Sequence, residues 1–327
     1  MTTHTTEIAL PPDYVPNKKV RKRFSLIKNI RKFWMFYMMM LPGIVLLVIN
    51  NYIPMFGIII AFKTVNYTDG ILRSPWSGFT NFEYLFKTRD AWIITRNTLA
   101  YNSVFILLNM TIPLAFALML NEMKNRFVAK FHQTVMFLPY FLSMIVISYL
   151  VFGFMSDEHG YLNGTLLPAF GMEEVRWYFT QEVWPYVLTL VNTWKGMGYF
   201  TVIYMAAIIG IDEEYYEAAT IDGASKWQQM VSITIPLIMP IIMIMMLLQI
   251  GRIFNADFGL FFQVPRDSGV LFPVTNVIDT YVYRTFLTVG DIGLSSAAGL
   301  LQSVVGFTLV FFSNWVVRRF NSDNALF

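Results

Sequence analysis

Residues 213–236 read EEYYEAATIDGASKWQQMVSITIP, a polar, acid-rich stretch set between two apolar segments of membrane length. Asp212 can cap a helix that begins at Glu213. Glu213, Glu214 and Glu217 then occupy its first turns, where the backbone dipole favours negative charge. Gly223 falls where a helix ends on a left-handed residue. Ser225 opens a second helix, and Gln228 three residues on completes a capping box. Pro236 suits the first turn of the apolar run that follows. The pattern predicts a hairpin of two short helices outside the bilayer.

Working outward, apolar runs long enough to cross a bilayer, about 20 residues each, flank this hairpin on both sides. Six are predicted, near residues 33–62, 97–120, 134–155, 184–211, 235–254 and 294–317. The first is interrupted by Asn50, Asn51 and Pro54, which predicts a kink or break near one end, since proline removes a backbone donor. The fold expected is an all-α integral membrane protein of six transmembrane helices with a cytoplasmic hairpin. Residues 1–33 read as a basic tail, 34–320 as the membrane domain with its hairpin loop at 212–236, and 321–327 as a second tail.

Charge predicts the orientation. Lys18, Lys19, Arg21, Lys22, Arg23, Lys28, Arg31 and Lys32 precede the first span. Lys124, Arg126 and Lys130 follow the second, and Arg318 and Arg319 close the sixth. Basic residues mark the cytoplasmic side, so both termini and the hairpin are expected inside. Outer loops then fall at 63–96, 156–183 and 255–293. The middle one is acidic, with Asp157, Glu158, Glu173, Glu174 and Glu182. The long polar start does not have the short basic stretch and early apolar core of a cleavable signal. Its basic run suits anionic lipid and topology more than nucleic acid, because no folded basic domain accompanies it.

Composition agrees. Apolar residues make up 56% of the 327-residue chain and charged residues 14%, with a formal net charge of +3, a balance typical of membrane proteins. There is no cysteine, which excludes disulfides and thiolate metal sites. His4, His132 and His159 are scattered, and no metal-ligand spacing stands out. No glycine-rich loop ends in Lys-Ser or Lys-Thr, so a phosphate cradle is missing from the sequence. If ATP drives this protein, another polypeptide binds the ATP and its Mg. The chain itself is expected to hold no cofactor and to be no enzyme. Asn66-Tyr67-Thr68 and Asn163-Gly164-Thr165 match the glycosylation triplet, a pattern frequent by chance.

Glu217-Ala218-Ala219, then Gly223 after three residues, then Ile233 and the proline that follows Ile235 resemble the EAA loop of binding-protein-dependent ABC importer permeases, with Ile235 where that family usually has leucine. Gly78 to Phe86 (GFTNFEYLF) resembles the segment before the second span in carbohydrate permeases. Asn97-Thr98-Leu99 resembles the start of that span, and Ser296 to Leu300 (SAAGL) the start of the last. The resemblance covers roughly residues 34–320 and falls nearest to permeases of oligosaccharides and polysaccharides, including importers of acidic polymers such as alginate.

That resemblance implies a bacterial inner-membrane protein working beside a second, similar permease, two ATP-binding subunits, an extracytoplasmic solute-binding protein and a carbohydrate cargo. It also implies a coupling role for the hairpin. Ala218 and Ala219 are small enough for close approach, Glu217 can accept a charge-assisted hydrogen bond, Gly223 supplies the turn, and Asp222 lies beside it. An ion-coupled secondary transporter is the competing reading. It calls for acids inside the spans or inverted repeats, and neither is evident.

Polar groups inside spans mark candidate pathways. Lys195 lies about 11 residues into the fourth span, roughly 16 Å deep at the helical rise. Trp194 and Tyr199 flank it. A cation beside aromatic faces would suit a carboxylated sugar, but a lysine there can equally pair with a helix carbonyl or a neighbouring acid, or snorkel. Asn109, Asn192, Gln249, Arg252 and Asn255 are further candidates, each also explicable as a helix–helix hydrogen bond. The methionine runs (Met38 to Met40; Met243, Met245 and Met246) read as packing or lipid-facing residues. The small residues from Gly293 to Gly299 suit close packing against a second permease.

Overall fold

A computed structural model describes residues 31–87 and 89–320. The basic tail up to residue 30 and the tail from 321 to 327 lie outside the described residues. The chain divides into two compact units, one up to Phe56 and one from Gly57 onward.

In the first unit, α1 (Trp34–Leu47) carries an unbroken apolar surface, with Met38, Met39 and Met40 exposed. The polar interruption foreseen from Asn50 and Asn51 is absorbed differently from a break. Val48–Tyr52 widens into a π turn, and the two side-chain amides donate back to the carbonyls of Leu46 (2.9 Å) and Leu47 (3.3 Å). Each amide thus places one of its two donors on a local carbonyl, the kind of partner that hydrocarbon surroundings call for.

The second unit is helical throughout its described length apart from loops and one isolated bridge between Lys63 and Trp76. Its long elements are α2 (Arg89–Asn121), α3 (Arg126–Phe141), α4 (Met144–Met155), α5 (Trp184–Ile209), α6 (Glu213–Ile221), α7 (Ile235–Ile250), α8 (Phe258–Gln263), α9 (Ile278–Val289) and α10 (Ile292–Phe320). Among the described residues, four helices are by themselves long and apolar enough to cross a membrane: Trp34–Phe62, Asp90–Asn121, Lys226–Ile250 and Ile292–Arg319. Two bent helix pairs pass the same test of length and apolarity only when each is taken together. α3 and α4 meet at 100°, and the helix ending at Ile209 turns by 68° into α6. Six crossings result when each pair counts once.

Two boundaries need correction. The third span, expected as one run over 134–155, is broken at Leu142 and Ser143, both extended (ψ 134° and 152°). Ser143 caps α4 by accepting from the Val146 N–H at 3.3 Å. The fifth span starts earlier than expected. The short second helix of the hairpin (Lys226–Gln229), a π turn (Met230–Thr234) and α7 form one helix from Lys226 to Ile250, so the hairpin is one short helix turned onto the base of a long one.

Three buried clusters hold the second unit. Ala117 and Leu120 of α2 pack with Tyr204, Met205 and Ile208 of α5 and Ile238 and Ile242 of α7, at the hairpin end. Tyr101, Ile147, Trp184, Leu188, Phe261 and Leu271 build a second cluster at the opposite end. Ala61, Leu85, Ile94, Ala297 and Ala298 build a third, which employs the small residues of α10. Lipid tails are as apolar as leucine, so close van der Waals fit contributes most here. Gly198 shows how close that fit is. A Cβ there would collide with the Met136 carbonyl of α3, so only glycine lets α5 and α3 cross at this point.

Candidate functional site

The hairpin is built by local chemistry. The Asp212 carboxylate accepts from the Glu214 N–H at 3.1 Å and starts α6. α6 ends in a two-bond glycine cap: the Ala224 N–H donates to Ala219 (2.8 Å) and the Gly223 N–H to Thr220 (3.1 Å), with Gly223 at φ +80°. That geometry costs a side-chain-bearing residue about 1 kcal/mol or more. Ser225 and Gln228 form the foreseen reciprocal capping box.

The two arms are stitched together from inside. Gln229 is buried, and its amide donates to the Thr220 hydroxyl (3.0 Å) and the Ala224 carbonyl (3.3 Å). The Tyr216 and Thr234 hydroxyls share a hydrogen bond of 2.9 Å. Lys226 reaches Glu122 at the end of α2 at 3.7 Å, with both side chains largely exposed, an ion pair of small energetic weight.

What the hairpin presents outward is unusual for a polar loop. Glu217, Ala218 and Asp222 are exposed and Ala219 half-buried. Around them Ile221 is 87% exposed, Trp227 70% and Tyr215 57%. Large apolar side chains gathered on a charged, rigid projection form a surface suited to a protein partner.

The second candidate region is the break between α3 and α4. Helix α3 ends there with carbonyls that have no partner within the helix. Lys195 of α5 supplies one, donating to the carbonyls of Leu142 (2.5 Å) and Tyr140 (3.1 Å). A cation at a helix C-terminus is also favoured by the backbone dipole. The sequence left two roles open for Lys195, and its geometry includes the carbonyl-pairing one. The ammonium also stands 5.9 Å from the Tyr140 ring. That ring stacks on Tyr199, centroids 5.0 Å apart and planes at 11°. The Asp257 carboxylate caps α8, accepting from the Leu260 N–H at 3.0 Å.

The remaining candidates divide. Asn192 shares the Lys195 and Tyr199 face by helical spacing, and its buried Nδ2 has no partner among the described residues. Asn109, on α2, has an unpaired Oδ1 facing Gly196. Gln249 likewise has an unpaired Nε2. Trp194 instead packs on the buried cluster around Trp184. Arg252 and Asn255 lie past the end of α7 with exposed side chains, and the Asn255 carbonyl accepts from Asn102 at 3.2 Å. Asn163, of the second glycosylation triplet, is buried and ties Val175 and Trp177 to the loop.

Sequence reasoning missed Tyr140. The signal for Tyr140 was Pro139 followed by Ser143, a helix stop and a helix start four residues apart.

Among the described residues there is no cluster of His, Cys, Asp or Glu able to hold a metal ion.

Residues 109–322 match the family described as the binding-protein-dependent transport system inner membrane component. The chain is 32% identical over 98% of its length to the polygalacturonan/rhamnogalacturonan transport system permease protein YteP of Bacillus subtilis, and covers 98% of that protein. It is 26% identical over 88% of its length to the trehalose/maltose transport system permease protein MalF of Thermococcus litoralis, covering 94% of it. Among solved structures it is similar, at a TM-score of 0.82 and 31% identity, to a chain of a bacterial ABC transporter involved in the import of the acidic polysaccharide alginate. That match covers 90% of this chain and 99% of the other. A chain of a bacterial alginate ABC transporter in complex with an alginate pentasaccharide-bound periplasmic protein matches at a TM-score of 0.81 and 31% identity, over 90% of this chain and 98% of the other.

Proposed function

The chain belongs to the binding-protein-dependent transport system inner membrane component family, as a permease of the carbohydrate ABC importers, and from that premise we propose that it passes an acidic oligosaccharide or polysaccharide through the membrane by alternating access, driven by ATP hydrolysed in separate subunits. The observation that carries the coupling half is the hairpin: a pre-ordered projection with Ile221, Trp227 and Tyr215 exposed around Glu217.

An element that transmits force has to be stiff. The double cap, the buried Gln229 and the unbroken helix from Lys226 to Ile250 make this one so. The ATP-binding subunits seat on it, and their closure rocks α5 and α7 together, since the hairpin joins these two spans. The pathway then alternates between two states whose populations ATP and cargo shift. A second, similar permease completes the pathway. A solute-binding protein delivers the cargo on the side opposite the hairpin, which lies in the cytoplasm together with both termini.

The cargo reading rests on Lys195 beside the Tyr140–Tyr199 stack. Two of the ammonium's donors hold carbonyls, and a lysine has three. The remaining one and its charge are available to a uronate carboxylate, while the tyrosine faces suit a sugar ring. The polymers named for two relatives, polygalacturonan and alginate, are both uronic-acid chains.

The test is co-purification of the tagged chain with its partners, followed by ATPase assays with a panel of neutral and uronic-acid oligosaccharides presented on the solute-binding protein. Stimulation by the uronic set is expected. A purified complex without a nucleotide hydrolase defeats the coupling role, and stimulation by neutral sugars alone defeats the cargo assignment.

A further inference from the structure

At the end of the spans opposite the hairpin, α2 and α5 line an open groove of about 810 Å³. Its floor on α2 is the stripe Ala100, Val104 and Leu108, residues four apart and therefore on one helix face. Tyr186 and Leu190 of α5 form the other wall, 78% and 70% exposed. The stripe begins with Arg96, the one charged residue lining the groove.

Arg96 is held in place. Its Nε and Nη2 donate to the Asn97 side-chain oxygen (3.2 and 2.9 Å), and Nη2 also donates to the Pro273 carbonyl (3.1 Å). Among the described residues no acid pairs with it, and Nη1 makes no hydrogen bond. The guanidinium thus sits, oriented and with donors to spare, at the mouth of an apolar trough.

We propose that this groove holds one acyl chain of a membrane phospholipid, with the anionic headgroup on Arg96. Three features select a lipid. Length fits: Arg96 to Leu108 spans roughly 18 Å at the helical rise, against about 15 Å for half of a hydrocarbon core. Charge fits, because a lone guanidinium with free donors complements a phosphate. Depth fits, because Trp92 and Tyr186 are exposed at the Arg96 end, where aromatic side chains mark the membrane interface. This inference needs only the membrane location and stands apart from the identity of the cargo.

The test is native mass spectrometry of the assembled transporter released from nanodiscs containing phosphatidylglycerol and phosphatidylcholine. Retention of phosphatidylglycerol over phosphatidylcholine is expected. Arg96→Gln should lower that retention about fivefold, the effect of one basic group at an anionic surface. Leu190→Trp, at an exposed position, fills the trough and should lower it with Arg96 intact. Variants that retain as much phosphatidylglycerol as the unaltered complex overturn the proposal. So does a complex without retained lipid in which the Leu190→Cys variant cross-links to the second permease, since a protein then covers the groove.

Discussion

At the scale of single residues, Lys195 and Asp279 show how a polar side chain earns its place among apolar ones. Lys195 closes the carbonyl end of α3. Removing it leaves those carbonyls unsatisfied, at about 1–3 kcal/mol for such a group. Lys195→Ala should therefore lower the melting temperature and cut uptake of an acidic cargo more deeply than basal ATPase. Measuring neutral and acidic uptake in parallel separates the roles: an equal fall in both reduces Lys195 to an anchor.

Asp279 ties the end of α7 to α10, accepting from the Ala256 N–H (2.7 Å) and the Gln302 amide (3.1 Å). Burial pushes its carboxyl above the ordinary value, against the lowering effect of these two bonds. The sign follows. The folded state holds this proton more tightly than the unfolded chain, so stability present below the ordinary value is lost as pH rises through the raised one. An Asp279→Asn variant has no proton to lose there. Its melting temperature relative to the unaltered protein should rise as pH climbs above the ordinary aspartate value and through the raised one. A difference that stays flat with pH would refute the argument.

Among elements, the hairpin was legible before any coordinates because everything that shapes it is local. Asp212, Gly223, Ser225 and Gln228 act within four residues of themselves, and each does in the structure what its position foretold. The break in the third span was hidden for the opposite reason. Residues 134–155 are apolar on both sides of it, and hydropathy does not register two extended residues at Leu142 and Ser143. What stabilises the break, Lys195, lies more than fifty residues away. The groove between α2 and α5 was likewise invisible, since its walls are distant in sequence. The proposed coupling is tested at the hairpin as an element. Gly223→Pro destroys the two-bond cap and Glu217→Lys reverses the exposed charge. Both variants should reach the membrane at normal levels, keep measurable ATPase, and lose most transport. Uptake in proteoliposomes, normalised to ATP hydrolysed, reads this directly, and unchanged ratios in both variants would strip the hairpin of its role.

For the molecule as a whole, the decisive property is which way it faces, because the proposed seating of an ATPase on the hairpin requires the hairpin to be cytoplasmic. Lys and Arg placement predicts the orientation, with Lys124, Arg126 and Lys130 on the same side as the hairpin. The geometry agrees in one respect: Lys226 of the hairpin contacts Glu122 in the turn that leads to those residues, so both lie at one end of the spans. The absence of cysteine from the chain makes the test clean, since any introduced thiol is the only one. Ile221→Cys, at the most exposed apolar position of the hairpin, should react with an impermeant maleimide in inside-out vesicles and not in intact spheroplasts. Phe170→Cys, exposed in the loop between α4 and α5, should show the reverse. If both positions label from the same side, the spans between them do not add up to one crossing, and the bent helix ending at Ile209 would have to be a re-entrant segment. If the two labels are exchanged, the chain is inverted and the hairpin cannot seat in a cytoplasmic motor, whatever its shape.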